Sequence, residues 1–161
     1  MNDITIIDYR PEHQPYFEKF NRDWIEKYFV MEPIDEFVLT EPDEALLKQG
    51  GAILMATCNG EMAGTVALKK VDEKTFEFTK MAVDEKYRRR GIAEAISQAS
   101  FTKARELGAT TVILYSNSIL TAAIRLYEKL GFKHMPVGNT GYKRSDVKMK
   151  IDIRDLETIA I

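Results

Sequence analysis

The chain has 161 residues, 45% of them hydrophobic and 30% charged, a balance that excludes a disordered or fibrous protein and predicts one globular domain spanning residues 1–161. Twenty-three basic against twenty-five acidic side chains leave a net charge of −2, which excludes a general attraction to nucleic acid or to an anionic membrane, so any anion binding must be local. The only cysteine, Cys58, excludes an internal disulfide and predicts a reducing cytoplasm, and neither a leader-like start nor eighteen consecutive apolar residues point to secretion or to a membrane span.

In chain order, "ITIIDYR" predicts a strand closed by Pro11, and "PEHQPYFEKFNRDWIEKYF" a helix whose aromatic residues Tyr16, Phe17, Phe20, Trp24 and Tyr28 recur roughly one turn apart. "MEPIDEFVL" reads as irregular, and "TEPDEALLKQGG" as a short helix with Thr40 as its N-cap and a glycine stop. Residues 52–83 predict three consecutive strands turned at "NGE" and at "DEKT". From Arg90 onward, Ile92, Ala95, Ile96 and Ala99 mark a helix closed by Gly108. "TTVILYSN" is a strand of buried type, and "ILTAAIRLYEKLGF" an amphipathic helix ended by Gly131. "FKHMPV" and "DVKMKIDI" predict two closing strands around a loop with Pro136, Gly138, Asn139 and Gly141. Together these elements predict an α/β fold, a twisted mixed sheet of about six to seven strands flanked by about four helices, with a parallel pair where a central helix joins two strands.

Ligands of such sheets bind beyond the strand ends, near helix N-termini. There the sequence places "RRRGIA", Arg88 to Ala93. The first N–H groups of a helix lack internal partners and carry partial positive charge, so an anion is their natural complement. Gly91 removes the Cβ that would hold a phosphate oxygen off, Ala93 nearly so, and the guanidinium groups add attraction. A solvated basic turn with a capping glycine is the other reading. Neither a Walker loop nor a three-glycine dinucleotide fingerprint occurs.

The run Arg88, Arg89, Arg90, Gly91, Ile92, Ala93 resembles the signature of the GNAT superfamily of N-acetyltransferases: Gln or Arg, two residues, Gly, one residue, Gly or Ala. The strand "TFEFTKMAV" precedes it, and a helix ending in "LYEKLGF", Leu126 to Phe132, comes after it in the expected order, so the resemblance covers nearly the whole chain. It implies a GNAT-like acyl-CoA N-acyltransferase fold and acetyl-CoA as cofactor. The pyrophosphate would rest on the amides of Arg88 to Ala93, and the pantetheine arm beside Met81, Ala82 and Val83, where a strand bulge would splay two parallel neighbours.

Acetyl transfer to an amine asks for a neutral amine, a stabilised oxyanion and a proton for the departing thiolate. The resemblance implies Tyr127 as the acid facing the cofactor sulfur, although Tyr127 also shares a helical face with Leu120, Ala123 and Ile124 and suits core packing. It implies Glu77 as the base, working through water as in the histone-acetyltransferase branch; strand alternation puts Glu77, Thr79, Met81 and Val83 on one face. The other reading of Glu77 is an exposed carboxylate paired with Lys80. Many relatives carry an asparagine seven residues before the tyrosine to steady the pantetheine. Leu120 stands there instead, and Asn117 either serves from a shifted turn or ends the strand and caps the helix.

The implied acceptor wall comprises Trp24, Tyr28, "MEPIDEF" and "GNTGYKRSD", where Glu32, Asp35 and Glu36 suit a cationic amine and Trp24 or Tyr28 offers a ring face. The acceptor is a small-molecule or a protein amine. His13 and His134 stand far apart without ligand-type neighbours, so no metal is predicted. Relatives often form homodimers, for which the apolar end "IAI" suits a partner strand. Two other readings stay open: a catalytically silent acyl-CoA-binding sensor or partner-binding domain, and a phosphate-recognition patch for RNA or nucleotide, which the net charge disfavours.

Overall fold

A computed structural model describes residues 3–138, 143–154 and 156. Strand β1 (Ile4–Asp8) leads through a 3-10 turn at Pro11–His13 into helix α1 (Gln14–Tyr28). The expected aromatic spacing has its physical cause here, since Phe17 and Phe20 are buried while Tyr16 is left exposed on the far side. Helix α2 (Pro33–Thr40) occupies the stretch expected to be irregular. Pro33 sits in its first turn, and the Asp35 carboxylate accepts a hydrogen bond from the Glu32 N–H at 2.9 Å. Thr40 therefore ends this helix and does not start the next; its hydroxyl donates back to the Glu36 carbonyl at 2.6 Å. The expected second helix is reduced to a single π-helical turn at Asp43–Leu47.

Strands β2 (Ala52–Cys58), β3 (Glu61–Lys70) and β4 (Thr75–Val83) form an antiparallel meander. Asn59 and Gly60, with φ of 52° and 86°, make the first hairpin turn as the sequence predicts. Helix α3 (Ile92–Glu106), strand β5 (Thr111–Ser116), helix α4 (Thr121–Leu130) and strands β6 (Lys133–Met135) and β7 (Val147–Asp152) complete the chain. The seven strands form one mixed sheet in the order β1-β2-β3-β4-β5-β7-β6. β4 and β5, joined through α3, are its parallel pair. One face packs against α3 and α4 through Phe76, Phe78, Ile92, Phe101 and Phe132, and the other against α1 and α2 through Phe17, Leu39 and Met55. Among the described residues no helix is long and apolar enough to cross a membrane. Asn139, Gly141 and the apolar end "IAI" lie outside the described residues.

Two irregularities of β4 position the site. Its pairing with β5 runs only from Thr75↔Thr111 to Glu77↔Ile113, after which the two strands part. Opposite β3, Thr65 pairs with Ala82 and Ala67 with Thr79, so Lys80 and Met81 together face Val66 in a bulge. Lys80 carries the extra turn at a φ of 53°. The bulge also corrects the expected alternation. Phe76 and Phe78 pack in the α3 and α4 layer, and after the extra residue Met81 and Val83 join that layer, while Lys80 turns to Asp35 on α2. Glu77 and Met81 consequently point to opposite faces of the sheet.

Candidate active site

The turn ahead of α3 is built from left-handed residues, Arg89 at a φ of 61° and Gly91 at 82°. The first bond of the helix runs from the Ala95 N–H to the Gly91 carbonyl at 3.1 Å, leaving the amides of Ile92, Ala93 and Glu94 for an outside acceptor. A Cβ added at Gly91 would meet no heavy atom within 4 Å, so the turn opens on empty space. That space is a groove of about 550 Å³ between this turn, Met81 to Val83 of β4 and the start of α4. Arg88 and Arg89 line it. Arg90 does not; its guanidinium lies 5.4 Å from the Tyr87 ring centroid and 4.0 Å from the Cys58 sulfur.

A second, smaller cavity of about 90 Å³ fills the gap where β4 and β5 part. Trp24, Met81 and Leu120 line both spaces, so they adjoin. Because the gap is open to both faces of the sheet, Glu77 reaches the cavity from the α1 side and Tyr127 from the α4 side. Burial raises the Glu77 carboxyl above the usual carboxylate range, against the opposing charges of Lys69 and Lys80. Glu77 is 8% exposed, so it is not the exposed carboxylate of the other reading. Tyr127 stands on α4 with its ring edge against Phe78 and Phe132, centroids 5.8 and 5.9 Å away, the second contact crossing the Gly131 terminator at a φ of 107°. Burial pushes its phenol up to about 12, so it holds its proton throughout the neutral range.

Behind the cavity lies a buried charge cluster. Asp35 is fully buried and accepts from Lys80 at 2.7 Å and from both terminal nitrogens of Arg144 at 2.8 and 2.9 Å. Glu32 accepts from Arg144 at 2.9 Å, and the guanidinium lies 5.8 Å from the Phe29 ring centroid. Burial by itself would raise Asp35, but the hydrogen bonds from Arg144 and the charge of Lys80 outweigh it and hold the carboxyl at about 2. Lys80 and Arg144 line the cavity, whereas Glu32, Asp35 and Glu36 do not. Glu36 faces away, held by Arg22 at 2.7 and 3.0 Å. Trp24 lines both spaces and Tyr28 only the groove. Asn117 lines the cavity rather than the groove; it accepts from the Ile119 N–H at 2.9 Å and donates to the Arg144 carbonyl at 2.5 Å. Among the described residues no three His, Cys, Asp or Glu side chains gather as a metal site would require.

The model of the acetyltransferase (GNAT) family matches residues 9–132. The chain belongs to the GNAT family. Among curated relatives, this GNAT chain is 31% identical over 106 residues to rat N-acetylaspartate synthetase, a match covering 65% of the chain and 33% of the relative. The chain thus spans about a third of the length of the curated relatives it matches first. A GNAT-family acetyltransferase from Staphylococcus aureus Mu50 superposes with a TM-score of 0.84 at 19% identity, covering 94% of this chain and 99% of that one. A putative acetyltransferase from Salmonella typhimurium, solved with its cofactor acetyl-CoA, superposes at 0.74 and 18% identity over 93% and 94%.

The sequence of this GNAT chain points to Glu77, Tyr127 and the α3 turn; it names Lys80 only as a surface partner of Glu77 and includes Arg144 only as part of the expected acceptor wall "GNTGYKRSD". The one signal for Lys80 is a charged residue interrupting the apolar side of "FEFTKMAV". For the pairing of Arg144 with Asp35, 109 residues away, the sequence carries no signal.

The buried charges tie stability to pH. The folded chain binds the Glu77 proton more tightly than the unfolded chain does, so its ionisation opposes folding once the pH rises above the unfolded value of 4.5. Glu77→Gln is expected to raise Tm at pH 8, by about 2–4 °C for each kcal/mol relieved, and to leave it nearly unchanged at pH 4, as read by thermal unfolding. Asp35→Ala removes the buried carboxylate that Lys80 and Arg144 share and is expected to cost about 3–5 kcal/mol in urea titrations.

Proposed function

We propose that this chain is an N-acetyltransferase that transfers the acetyl group of acetyl-CoA to a primary amine by direct attack, residues 1–161 acting as one catalytic domain in a reducing cytoplasm. The observation that carries the reading is the junction at Trp24, Met81 and Leu120: the groove under the amides of α3 runs there into the cavity that holds Glu77 and Tyr127. The residues fit the cofactor. A turn of left-handed backbone with empty space above Gly91 and helix amides without an internal acceptor suits a pyrophosphate, and the groove volume lies within the ordinary range of ligand sites, about 300–1,000 Å³.

Arg88 to Ala93 hold the phosphates, with backbone amides giving the contact and Arg88 and Arg89 the long-range attraction. Met81 to Val83 present the edge of β4 that β5 has left unpaired, which suits an extended arm. Bound acetyl-CoA supplies an activated thioester. Glu77 takes a proton from the incoming ammonium through water, and its raised pKa brings it nearer the working pH than an ordinary carboxylate. Tyr127 keeps its proton on Oη until a thiolate needs it.

Calorimetry with acetyl-CoA, followed by thiol release against a panel of amines, tests the reading. Binding heat together with release for at least one amine supports it. Heat without release for any amine favours a silent acyl-CoA sensor, and no heat removes the cofactor assignment. Tyr127→Phe is expected to lower kcat by about 100-fold while leaving the heat of acetyl-CoA binding intact. Gly91→Val forces a β-branched residue to a φ of 82° and is expected to weaken acetyl-CoA binding about tenfold or more by calorimetry, since the turn must rebuild.

A further inference from the structure

An amine acceptor reaches the enzyme as a cation, yet Lys80 and Arg144, two of the three charged side chains lining the cavity among the described residues, are themselves cations. The carboxylates expected to receive an ammonium, Asp35 and Glu32, stand behind them and are engaged in holding them. Among the described residues, only Glu77 offers negative charge at the wall. Burial makes this arrangement decisive. The Lys80 side chain is 4% exposed and that of Arg144 15%, so bulk water screens neither charge fully. Asp35 and Glu32 balance these two charges in number, so a plain alkylamine or a polyamine would engage Glu77 alone and make no use of the two cations at the wall.

A zwitterion uses both signs of charge. Its ammonium can meet Glu77 while its carboxylate meets the Arg144 guanidinium and the Lys80 ammonium from the cavity side, as charge-assisted contacts added to those that Asp35 and Glu32 make from behind. The size agrees. A cavity of about 90 Å³ is smaller than one of about 150 Å³ that accommodates benzene, and it suits the few heavy atoms of an amino-acid core.

We propose that the acceptor is a free α-amino acid, its carboxylate held by Arg144 and Lys80, which Asp35 and Glu32 fix in place from behind. The assignment rests on the acetyltransferase reading above and sharpens it from amines at large to amines with a neighbouring carboxylate. In the transfer, the amine nitrogen forms a bond to the acetyl carbon and the thioester C–S bond breaks. The ammonium first gives one proton through water to Glu77; as the C–N bond forms and the C–S bond breaks, the thiolate takes the Tyr127 proton, and the second proton that the nitrogen loses returns through water to the Tyr127 oxygen. Lys80 and Arg144 exchange no proton; they set where the amine sits.

The test compares matched probes: the free amino acids, each beside its carboxamide, together with putrescine and a peptide with a free N-terminus, all read by thiol release. At least one amino acid is expected to exceed its own amide by about 30-fold or more in kcat/KM, the lower end of what losing one partner of a buried charged pair costs. In Arg144→Gln, KM for that amino acid is expected to rise by a similar factor with kcat largely kept, and the preference over the amide to shrink to a few-fold. Arg144→Lys, which restores a charge without the fork, is expected to fall between the two. An unchanged heat of acetyl-CoA binding in each variant certifies that it is folded. Equal turnover of amides, putrescine or the peptide overturns the carboxylate assignment and leaves the acetyltransferase reading standing, as does an Arg144→Gln variant that loses kcat alone. Release from no probe at all overturns both.

Discussion

The ion pair between Lys80 and Asp35 is the contact on which the active region depends. A lysine at a φ of 53° inside a strand is a costly conformation, on the order of 1–3 kcal/mol, and such residues persist only where their surroundings over-determine them. Here the determinant is a fully buried carboxylate 2.7 Å from the lysine nitrogen. Holding Lys80 on the α2 side while Met81 returns to the α3 side makes the bulge, and the bulge resets the alternation of β4. One strand can therefore present Glu77 to the smaller cavity from the α1 side and Met81 to the groove within five residues.

The two buried carboxylates show how the same side-chain chemistry is sent in opposite directions. Asp35 receives hydrogen bonds from Arg144 and Lys80 and stays ionised, whereas Glu77 feels its nearest lysines only through charge, and desolvation dominates. The first is thus structural, a fixed negative charge that orients cations. The second is chemically labile, a group whose proton can come and go. Pairs of titratable groups with diverging environments commonly mark a division of labour of this kind. Tyr127 adds a third setting: packed edge-on against two phenylalanines, it is kept protonated by the absence of water around most of its ring.

Much of the scaffold is legible in the sequence because its signals are local. The turn at Asn59-Gly60, the glycine that ends α4 and the apolar run of β5 each announce themselves within a few residues, and the strand–helix–strand passage implies the parallel pair. Residues 31–39, which read as irregular, carry a helix signal in "PIDE", a proline followed by acids suited to a first helical turn, but the preceding irregular residues mask it. The phase of β4 is not legible. A bulge is specified by contacts on both sides of a strand, and Asp35, which supplies one of them, lies 45 residues away. The pairing of Arg144, within the expected wall "GNTGYKRSD", is hidden for the same reason. Of the three arginines that look equivalent in sequence, two face the groove and Arg90 packs on Tyr87, a distinction made by the left-handed turn at Arg89 and not by composition.

The position of Trp24 has an optical consequence. It is the chain's sole tryptophan, and its indole stands at the wall shared by both spaces, 5.5 Å from the ring of Tyr28 and 6.0 Å from that of Phe29. Tryptophan emission from this protein thus originates at one known place, where filling of either space would change the polarity around the fluorophore. The molecule carries its own spectroscopic label at the wall that the two compartments share.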